Sequence, residues 1–413
     1  MLKTNLINRR EEKNKSRTSR RWHESKAGFE LGLIIGKWQP RITFCNQGFP
    51  GLSRMTQYIT QLLKFPARPL IGIDIGSSSI KLVELKQVMG KMILKKCDWI
   101  SLESGTIVDG AVMYIEILQD AIDELVARNN IKGRRVAISV SGNSVIIKRI
   151  CLPEMNQAEL ESSIMWEAEQ YIPFDISECY VDAVITQPDV GQDQMAVLLS
   201  AAKKVEIDNY LEILKKAGLK PVVVDIDTYT LFNLFTNSAN YSEDETVVLL
   251  NVGNSMMNVM VIEKGQLVFT RDITALAGSL LTEEISRKFA LTYQESESYK
   301  TGDSESVLSI GVQKEIDGLS GRVASTLTTE VHRAIEFHKA VSIGDKITKA
   351  YLYGGGSNMT TLREQIAQRL KIPVELGQPI QGIEITHGLA NKEIVKAKAI
   401  EFGVAIGLAM RKG

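Results

Sequence analysis

The chain has 413 residues, of which 44% are hydrophobic and 24% charged, so it is long enough to form two lobes rather than one core. The formal net charge is zero, but residues 1–54 carry twelve Lys or Arg and four Asp or Glu, which leaves 37 basic and 45 acidic residues in the remainder. This acidic remainder argues against nucleic-acid binding, because phosphate backbones require a clustered positive surface. The four cysteines have no C-x-x-C spacing, which excludes a zinc frame and indicates reduced thiols.

No apolar run is long enough to cross a bilayer, so the sequence predicts no membrane span. Residues 1–54 are charge-dense and lack a hydrophobic period, which favours a disordered extension. A helical pattern begins at Met55. We expect the basic extension to be dispensable, and Met55 is a candidate for the native start.

The first folded part is predicted to begin with a hairpin, in which strands 70–75 and 79–87 flank a Gly-Ser turn. Behind it the pattern predicts a third strand, an amphipathic helix and two more strands: 91–101, 115–129, 135–141 and 144–150.

Pro153 opens a different unit, which is predicted as a small α-β-β-α insert with Trp166 as a packing residue. Its predicted elements are helix 157–171, strands 179–187 and 194–202, and helix 203–217. A strand at 221–226 and a helix at 228–235 then return to the first lobe.

A second strand–turn–strand hairpin begins at residue 245, about 180 residues after the first, and such a repeat indicates an internally duplicated core. Further elements are predicted as strands 266–270 and 349–353 and helices 280–289, 293–300, 312–340, 359–370 and 402–411. The predicted domains are a first-lobe core of 56–150, 224–242 and 390–413, an insert of 151–223, and a second lobe of 243–389 with a helical part at about 275–345.

The turn of the first hairpin suits a phosphate, which requires backbone N–H groups facing a concavity and small residues that allow close approach. Asp74 ends the first strand, where a carboxylate can hold water bound to Mg²⁺, and Lys81 on the returning strand can reach a phosphate as a point charge. The predicted turn residues are Gly76, Ser77, Ser78 and Ser79.

Two later segments would complete a nucleotide site. In the second hairpin the residues expected to face the β- and γ-phosphates are Asn251, Gly253, Asn254 and Ser255. The turn after strand 349–353 would pass beneath a ring and sugar, with Gly354, Gly355, Gly356 and Asn358 as its binding residues. Glu297 and Lys300 share a helix face and could hold the ribose and the adenine edge. Neither a Rossmann nor a Walker fingerprint is present.

These three turns, in this order, resemble the phosphate-1, phosphate-2 and adenosine motifs of the superfamily of actin, heat-shock chaperones and sugar kinases. The segments 152–178 and 201–227 and the closing FGVAIGLAMRKG resemble the PilM family of type IV pilus assembly, which is related to the cell-division protein FtsA. The resemblance implies an α/β, actin-like, two-lobed duplicated ATPase fold with ribonuclease H-like cores, in which the insert is the 1C subdomain.

The resemblance also implies that ATP and Mg²⁺ bind between the lobes. It further implies that a groove between the first-lobe core, subdomain 1A, and the insert, subdomain 1C, holds the N-terminal cytoplasmic peptide of PilN, an inner-membrane protein. A protein of this kind would be cytoplasmic and recruited to the inner face of the inner membrane by its partner. Self-association is left open.

Two departures from the superfamily pattern predict slow or vestigial hydrolysis. Asn251 stands where many members carry Asp, so it contributes no negative charge to a metal shell. The residue that would orient the attacking water falls at Asp225 or Asp227, between which the sequence does not decide. The alternatives are an FtsA-like filament-forming ATPase, which normally has a C-terminal amphipathic membrane helix, and a sugar kinase, which needs a carboxylate base and a larger substrate subdomain.

Overall fold

The computed structural model describes residues 70–411, except 239–240, 243, 303–308, 342–345, 387–388 and 390–391. The expectations for residues 1–54 and for a start at Met55 lie outside the described residues.

The strands of the described residues, in chain order, are β1 (Ile71–Ile75), β2 (Ser79–Val88), β3 (Lys91–Ser101), β4 (Ile107–Val108), β5 (Ala111–Val112), β6 (Arg135–Val140), β7 (Val145–Pro153), β8 (Cys179–Gly191), β9 (Gln194–Lys203), β10 (Lys220–Ile226), β11 (Val247–Val252), β12 (Met256–Glu263), β13 (Gln266–Thr274), β14 (Lys349–Tyr353), β15 (Val374–Leu376) and β16 (Ile383–Ile385). The α-helices are α1 (Ile115–Asn129), α2 (Gln157–Glu169), α3 (Lys204–Lys216), α4 (Asp227–Thr236), α5 (Ser279–Phe289), α6 (Tyr293–Thr301), α7 (Ile310–Val341), α8 (Thr360–Leu370), α9 (Lys392–Ala397) and α10 (Gly403–Ala409).

The two central sheets share one topology. The first has the strand order β10-β6-β1-β2-β3-β16 and the second β13-β12-β11-β14-β15. In each sheet the first strand pairs antiparallel with the second strand of its hairpin and parallel with the strand on its other side. The predicted duplication is therefore confirmed, and the two hairpin turns occupy equivalent positions in the two lobes.

Strand β16 departs from the predicted organisation. It lies within the range 243–389 that was predicted for the second lobe, but it pairs in parallel with β3 of the first sheet. The chain therefore returns to the first lobe before residue 390.

The insert is built on a three-stranded sheet, β7-β9-β8, rather than on two strands. Strand β7 begins at Val145 and pairs along its whole length with β9, so the predicted boundary at residue 151 falls inside a strand. On the other side, α3 packs against α1 and β10 of the first lobe. The compact insert thus spans 145–203, and α3 fastens it to the first-lobe core.

Helix α2 covers the outer face of this sheet. It starts at a capping box, in which the Asn156 side chain accepts from two backbone N–H groups and Glu159 accepts from the N–H of Asn156. The buried residues Leu160, Ile164 and Ala168 recur every four positions and face the sheet. Trp166 lies on the opposite side of the helix and is 79% exposed, so the prediction that it packs within the insert is wrong.

The C-terminal helix α10 rests directly on the first sheet. A Cβ atom placed on Gly72 of β1 would lie 2.1 Å from the carbonyl oxygen of Ala405, and one placed on Gly407 would lie 2.3 Å from that of Thr230. Only glycine allows such an approach, so these two positions set how closely α10 packs on β1 and α4.

An ion pair closes the same contact. The guanidinium of Arg411, just after α10, donates to the carboxylate of Asp225, which is fully buried on β10 and also accepts from the N–H of Ile226. Burial raises the pKa of Asp225, whereas the charge of Arg411 lowers it. The Asp225 carboxylate therefore finds its hydrogen-bond and charge partners within the fold.

Replacing Arg411 by Met should destabilise the protein by about 3–5 kcal/mol, because it leaves a buried carboxylate without its partner. A carboxyl group whose pKa is raised on folding destabilises the folded state increasingly as the pH rises from its unfolded pKa towards its folded one. Without Arg411, which lowers the pKa of Asp225, that pKa rises further. We therefore expect the loss of stability in Arg411→Met, measured by urea unfolding, to be larger at pH 8 than at pH 5.

Arg287→Met is the matched control, since Arg287 pairs with Glu284 on the surface and is 71% exposed. Its loss should change stability by at most about 1 kcal/mol. Equal effects of the two substitutions would show that the Asp225–Arg411 pair does not hold the fold together.

Candidate functional site

The turn of the first hairpin is tied down at both sides. The N–H of Gly76 donates to the carbonyl of Ser79 over 3.1 Å, and the carbonyl of Ser78 accepts from the N–H of Leu102 over 2.8 Å. These bonds fix the turn against the end of β3. Ser77 lies at its tip, where it reaches the second lobe.

Asp74 and Lys81 are direct register partners on β1 and β2. Lys81 Nζ lies 3.5 Å from Asp74 Oδ2, and each side chain is 13% exposed. One ammonium and one carboxylate are thereby placed at the base of the first turn. A phosphate approaching the turn would meet the ammonium, and a hydrated cation would meet the carboxylate.

The turn of the second hairpin is closed by the same bond as the first, from the N–H of Gly253 to the carbonyl of Met256 over 2.9 Å. The carbonyl of Asn254 accepts from the N–H of Ser279 over 2.7 Å, so the turn is also fixed to the start of α5. Asn254 Nδ2 reaches Ser77 Oγ at 3.5 Å. The two predicted phosphate turns therefore face each other across the gap between the lobes; Ser255 belongs to the same turn.

The third predicted turn passes close to the end of β11. Gly354 has a φ of +82°, and a Cβ atom placed on it would lie 2.5 Å from the carbonyl oxygen of Val252. A Cβ atom on Gly356 would lie 2.4 Å from Val252 Cγ1, whereas Gly355 and Asn358 are exposed. The glycines bring this turn against the second hairpin and leave two of its residues open to solvent.

Glu297 and Lys300 form a network rather than an isolated surface pair. Lys300 Nζ lies 2.7 Å from Glu297 Oε2, and both side chains bond Thr282 Oγ1, over 2.8 and 2.6 Å. Tyr293, which the sequence analysis did not single out, donates from its hydroxyl to Asn254 Oδ1 over 3.3 Å. Helix α6 is thereby linked to α5 and to the second turn.

The two candidate water-positioning residues have different surroundings. Asp225 is engaged by Arg411. Asp227 lies half-buried at the start of α4, and loss of hydration there, together with the charge of nearby Asp74, raises its pKa to about 7. Asp227, and not Asp225, therefore shares the neighbourhood of the first turn.

Asn251, predicted to contact a metal through water, is hydrogen-bonded through its side chain to the neighbouring strand of the second sheet. Its Nδ2 donates to Asn258 Oδ1 over 3.0 Å, and Asn258 Nδ2 donates to Asp272 Oδ1 over 2.8 Å. Asn258 and Asp272 were not predicted as site residues. The one signal in the sequence is Asn258 itself, a polar residue within the apolar strand MMNVMVIE. Its polar neighbours Asn251 and Asp272 come to lie opposite it only when the strands pair.

Within the described ranges, no cluster of three or more His, Cys, Asp or Glu side chains is arranged to hold a metal ion directly. A cation beside Asp74 would therefore have to keep most of its water, as Mg²⁺ commonly does. Among the same residues, no helix is long and apolar enough to span a membrane.

Comparison with known proteins places these features in a family. The family model described as type IV pilus assembly protein PilM matches residues 72–413. A solved PilM-PilN type IV pilus biogenesis complex matches with 28% identity and a TM-score of 0.73, over 84% of this chain and 98% of that chain.

Two more distant structures also match. The ethanolamine utilization protein EutJ of Carboxydothermus hydrogenoformans is 16% identical, with a TM-score of 0.47 over 84% of this chain and 91% of that one. MreB5 of Spiroplasma citri bound to AMPPNP is 12% identical, with a TM-score of 0.46 over 83% and 95%. Since the family model covers nearly all of the described residues, the predicted actin-like fold is confirmed and the chain belongs to the PilM family of type IV pilus assembly proteins.

Proposed function

We propose that this protein is a nucleotide-binding scaffold of type IV pilus assembly, which binds ATP between its lobes and a PilN-like inner-membrane protein through that partner's N-terminal cytoplasmic peptide. The observation that carries the proposal is the similarity to the solved PilM-PilN complex, which extends over 98% of the matched chain. In this role the protein works at the cytoplasmic face of the membrane, and the partner supplies the anchor.

The meeting of the three turns supports a nucleotide site. The turns at Ser77 and Asn254 approach to 3.5 Å, and Gly354 lies against the end of β11 beside the second turn. Backbone N–H groups from two hairpins would hold the phosphates, and Lys81 would neutralise part of their charge. The polar network of Glu297 and Lys300 would face the ribose and the adenine edge.

Magnesium fits this arrangement as a hydrated ion. Asp74 is a partly exposed carboxylate at the first turn, and Asn251 offers no charge, so the donors present suit a cation that keeps its water shell. A cation held there would supply positive charge that neutralises part of the phosphate charge. Asp74 would orient its bound waters.

The same donors explain why hydrolysis should be slow. Asp227 is the one candidate for orienting an attacking water, since Asp225 is paired with Arg411. Asn251 uses its amide to bond Asn258 and supplies no second carboxylate. We infer that the site holds nucleotide more effectively than it turns it over.

A surface beside the insert suits an extended peptide. The β4–β5 hairpin is held to α3 by the Tyr210 hydroxyl, which donates to the carbonyl of Gly110 over 2.9 Å. Directly after this hairpin, Met113 and Tyr114 are 59% and 55% exposed, and Val205 at the start of α3 is also exposed. Apolar side chains at the border of the first-lobe core and the insert could receive the side chains of a bound peptide.

Replacing Lys81 by Ala should weaken ATP binding by about ten- to a hundredfold, because a charge-assisted hydrogen bond to a phosphate is lost. Titration calorimetry with Mg²⁺ and a non-hydrolysable ATP analogue measures the change. Lys86→Ala, on the exposed end of the same strand, is the matched control and should bind as the unmodified protein does. Unchanged affinity in Lys81→Ala would mean that the first turn is not the phosphate site.

The unmodified protein should hydrolyse ATP more slowly than ~1 s⁻¹, the low end of ordinary enzymes. Asp227→Asn should lower the residual rate by about a hundredfold, the usual contribution of a positioned base, without weakening nucleotide binding. Phosphate release is the readout, and Asp120→Asn on the exposed face of α1 is the control. Turnover of many per second, or full activity of Asp227→Asn, would contradict this role.

Tyr114→Ala should weaken binding of the partner's N-terminal peptide by roughly tenfold or more, as expected for a central aromatic anchor. Fluorescence anisotropy with a synthetic peptide of the host's PilN-like protein tests this. Trp166→Ala removes a more exposed aromatic residue from the outer face of the insert and should leave the affinity unchanged. The reverse pattern would move the peptide site to the outer face of α2.

A further inference from the structure

A row of three polar side chains crosses the second-lobe sheet. Asn251, Asn258 and Asp272 are direct register partners on β11, β12 and β13. Asn251 donates to Asn258 and Asn258 donates to Asp272, over 3.0 and 2.8 Å. The carboxylate at the end of the row can only accept, so it fixes the orientation of both amides.

The inner end of this row lies between two of the proposed nucleotide turns. Asn251 is near the end of β11, two residues before Gly253. A Cβ atom placed on Gly354 would lie 2.8 Å from Asn251 Oδ1, so this amide oxygen faces the third turn while the amide nitrogen faces Asn258. A nucleotide that contacts either turn would therefore constrain the position of the Asn251 side chain.

The outer end of the row reaches the first lobe. Strand β13 packs against β7, and the backbone N–H of Gly142, in the loop 141–144 directly before β7, interacts with the carboxylate of Asp272. The carbonyl of Ser144 in this loop accepts from the N–H of Lys203, at the end of β9. Asp272 thus joins the second lobe to the base of the insert.

The same loop contacts the hairpin beside the proposed peptide surface. A Cβ atom placed on Gly142 would lie 2.6 Å from the carbonyl oxygen of Asp109, and one on Gly110 would lie 2.4 Å from that of Ser141. Gly110 in turn accepts from Tyr210 of α3. Movement of the loop must therefore displace the β4–β5 hairpin, because backbone meets backbone at both positions.

Strand β13 touches the insert at a second point. Gln266, at its start, donates from Nε2 to the carbonyl of Thr186 on β8 over 3.1 Å. Two separated contacts on one strand resist both sliding and rotation of the insert relative to the second lobe.

We propose that Asp272 is a positioning residue that couples nucleotide binding to partner-peptide binding, by holding Asn251 at one end of the polar row and the loop at the base of the insert at the other. This rests on the proposed function, since it needs both ligands. Asp272 faces donors from both lobes, so it links the nucleotide turns to the loop at the base of the insert, whereas Gln266 holds β13 to β8 at a separate point.

The experiment measures a ratio of affinities in the full chain. The affinity for the PilN-like N-terminal peptide is determined without nucleotide and with a saturating non-hydrolysable ATP analogue and Mg²⁺. In the unmodified protein the two affinities should differ roughly fivefold or more, within the usual range of coupling between sites. Saturation ensures that a changed nucleotide affinity does not enter the ratio.

Asp272→Asn should bring this ratio to within about twofold of one. Its single carbonyl oxygen can accept from Asn258 or from Gly142 but not from both, and its amide hydrogens then face the other donor. Arg271→Gln, on the exposed neighbouring residue of β13, removes a charge without touching the row and should keep the full ratio. Loss of packing alone would lower both peptide affinities equally and leave the ratio intact.

Asn251→Asp is the second variant, in case Asp272→Asn does not fold. It preserves side-chain size but replaces the amide donor by an acceptor, so it breaks the row at its inner end. The ratio of peptide affinities should therefore also fall close to one. A full ratio in a folded variant of either kind would overturn the proposal, as would a ratio of one in unmodified protein that binds both ligands. If the unmodified protein bound neither ligand, the proposed function would be wrong and the coupling with it.

Discussion

The close contact between α10 and the first sheet is the constraint on which the site depends. At Gly72 and Gly407 a single methyl group would collide with backbone, so helix and sheet meet at the distance that glycine permits. Arg411, just after the same helix, pairs with buried Asp225. The contact therefore fixes β1, which carries Asp74 and the first turn, and assigns Asp225 to the fold. Asp227, two residues later, remains beside the turn.

Features encoded locally could be predicted from the sequence, whereas those made by long-range pairing could not. Both hairpins, the triple-glycine turn and most helices follow from apolar period and from glycine at turns. Strand β16 is only three residues long, and β7 belongs to the insert only because β9 pairs with it. The burial of Trp166 could not be predicted, because an aromatic residue next to Ile164 and Met165 is typical of a core until it is known which face of the helix packs on the sheet.

The site shows the same division. Glycines, serines and the Asp74–Lys81 pair are close in sequence and could be recognised as one turn. Asp272 is 21 residues from Asn251 and lies in the strand QLVFTRDIT, so nothing in its local sequence connects it to a nucleotide. Only the registers of β11 with β12 and of β12 with β13 place the three polar residues in one row.

That row also gives a physical reason for asparagine at position 251. Asn258 donates to the carboxylate of Asp272 and therefore presents its carbonyl oxygen to position 251. A carboxylate at 251 would face this oxygen and could donate nothing, and it would add negative charge to the row that ends at Asp272, whose own charge already raises the pKa of Asp227 after burial and Asp74. The amide satisfies Asn258 without that repulsion. The amide that completes the polar row is thus also the group that would leave a metal shell without a second carboxylate, which suits the proposed role of a protein whose bound nucleotide sets its shape more than it supplies a reaction.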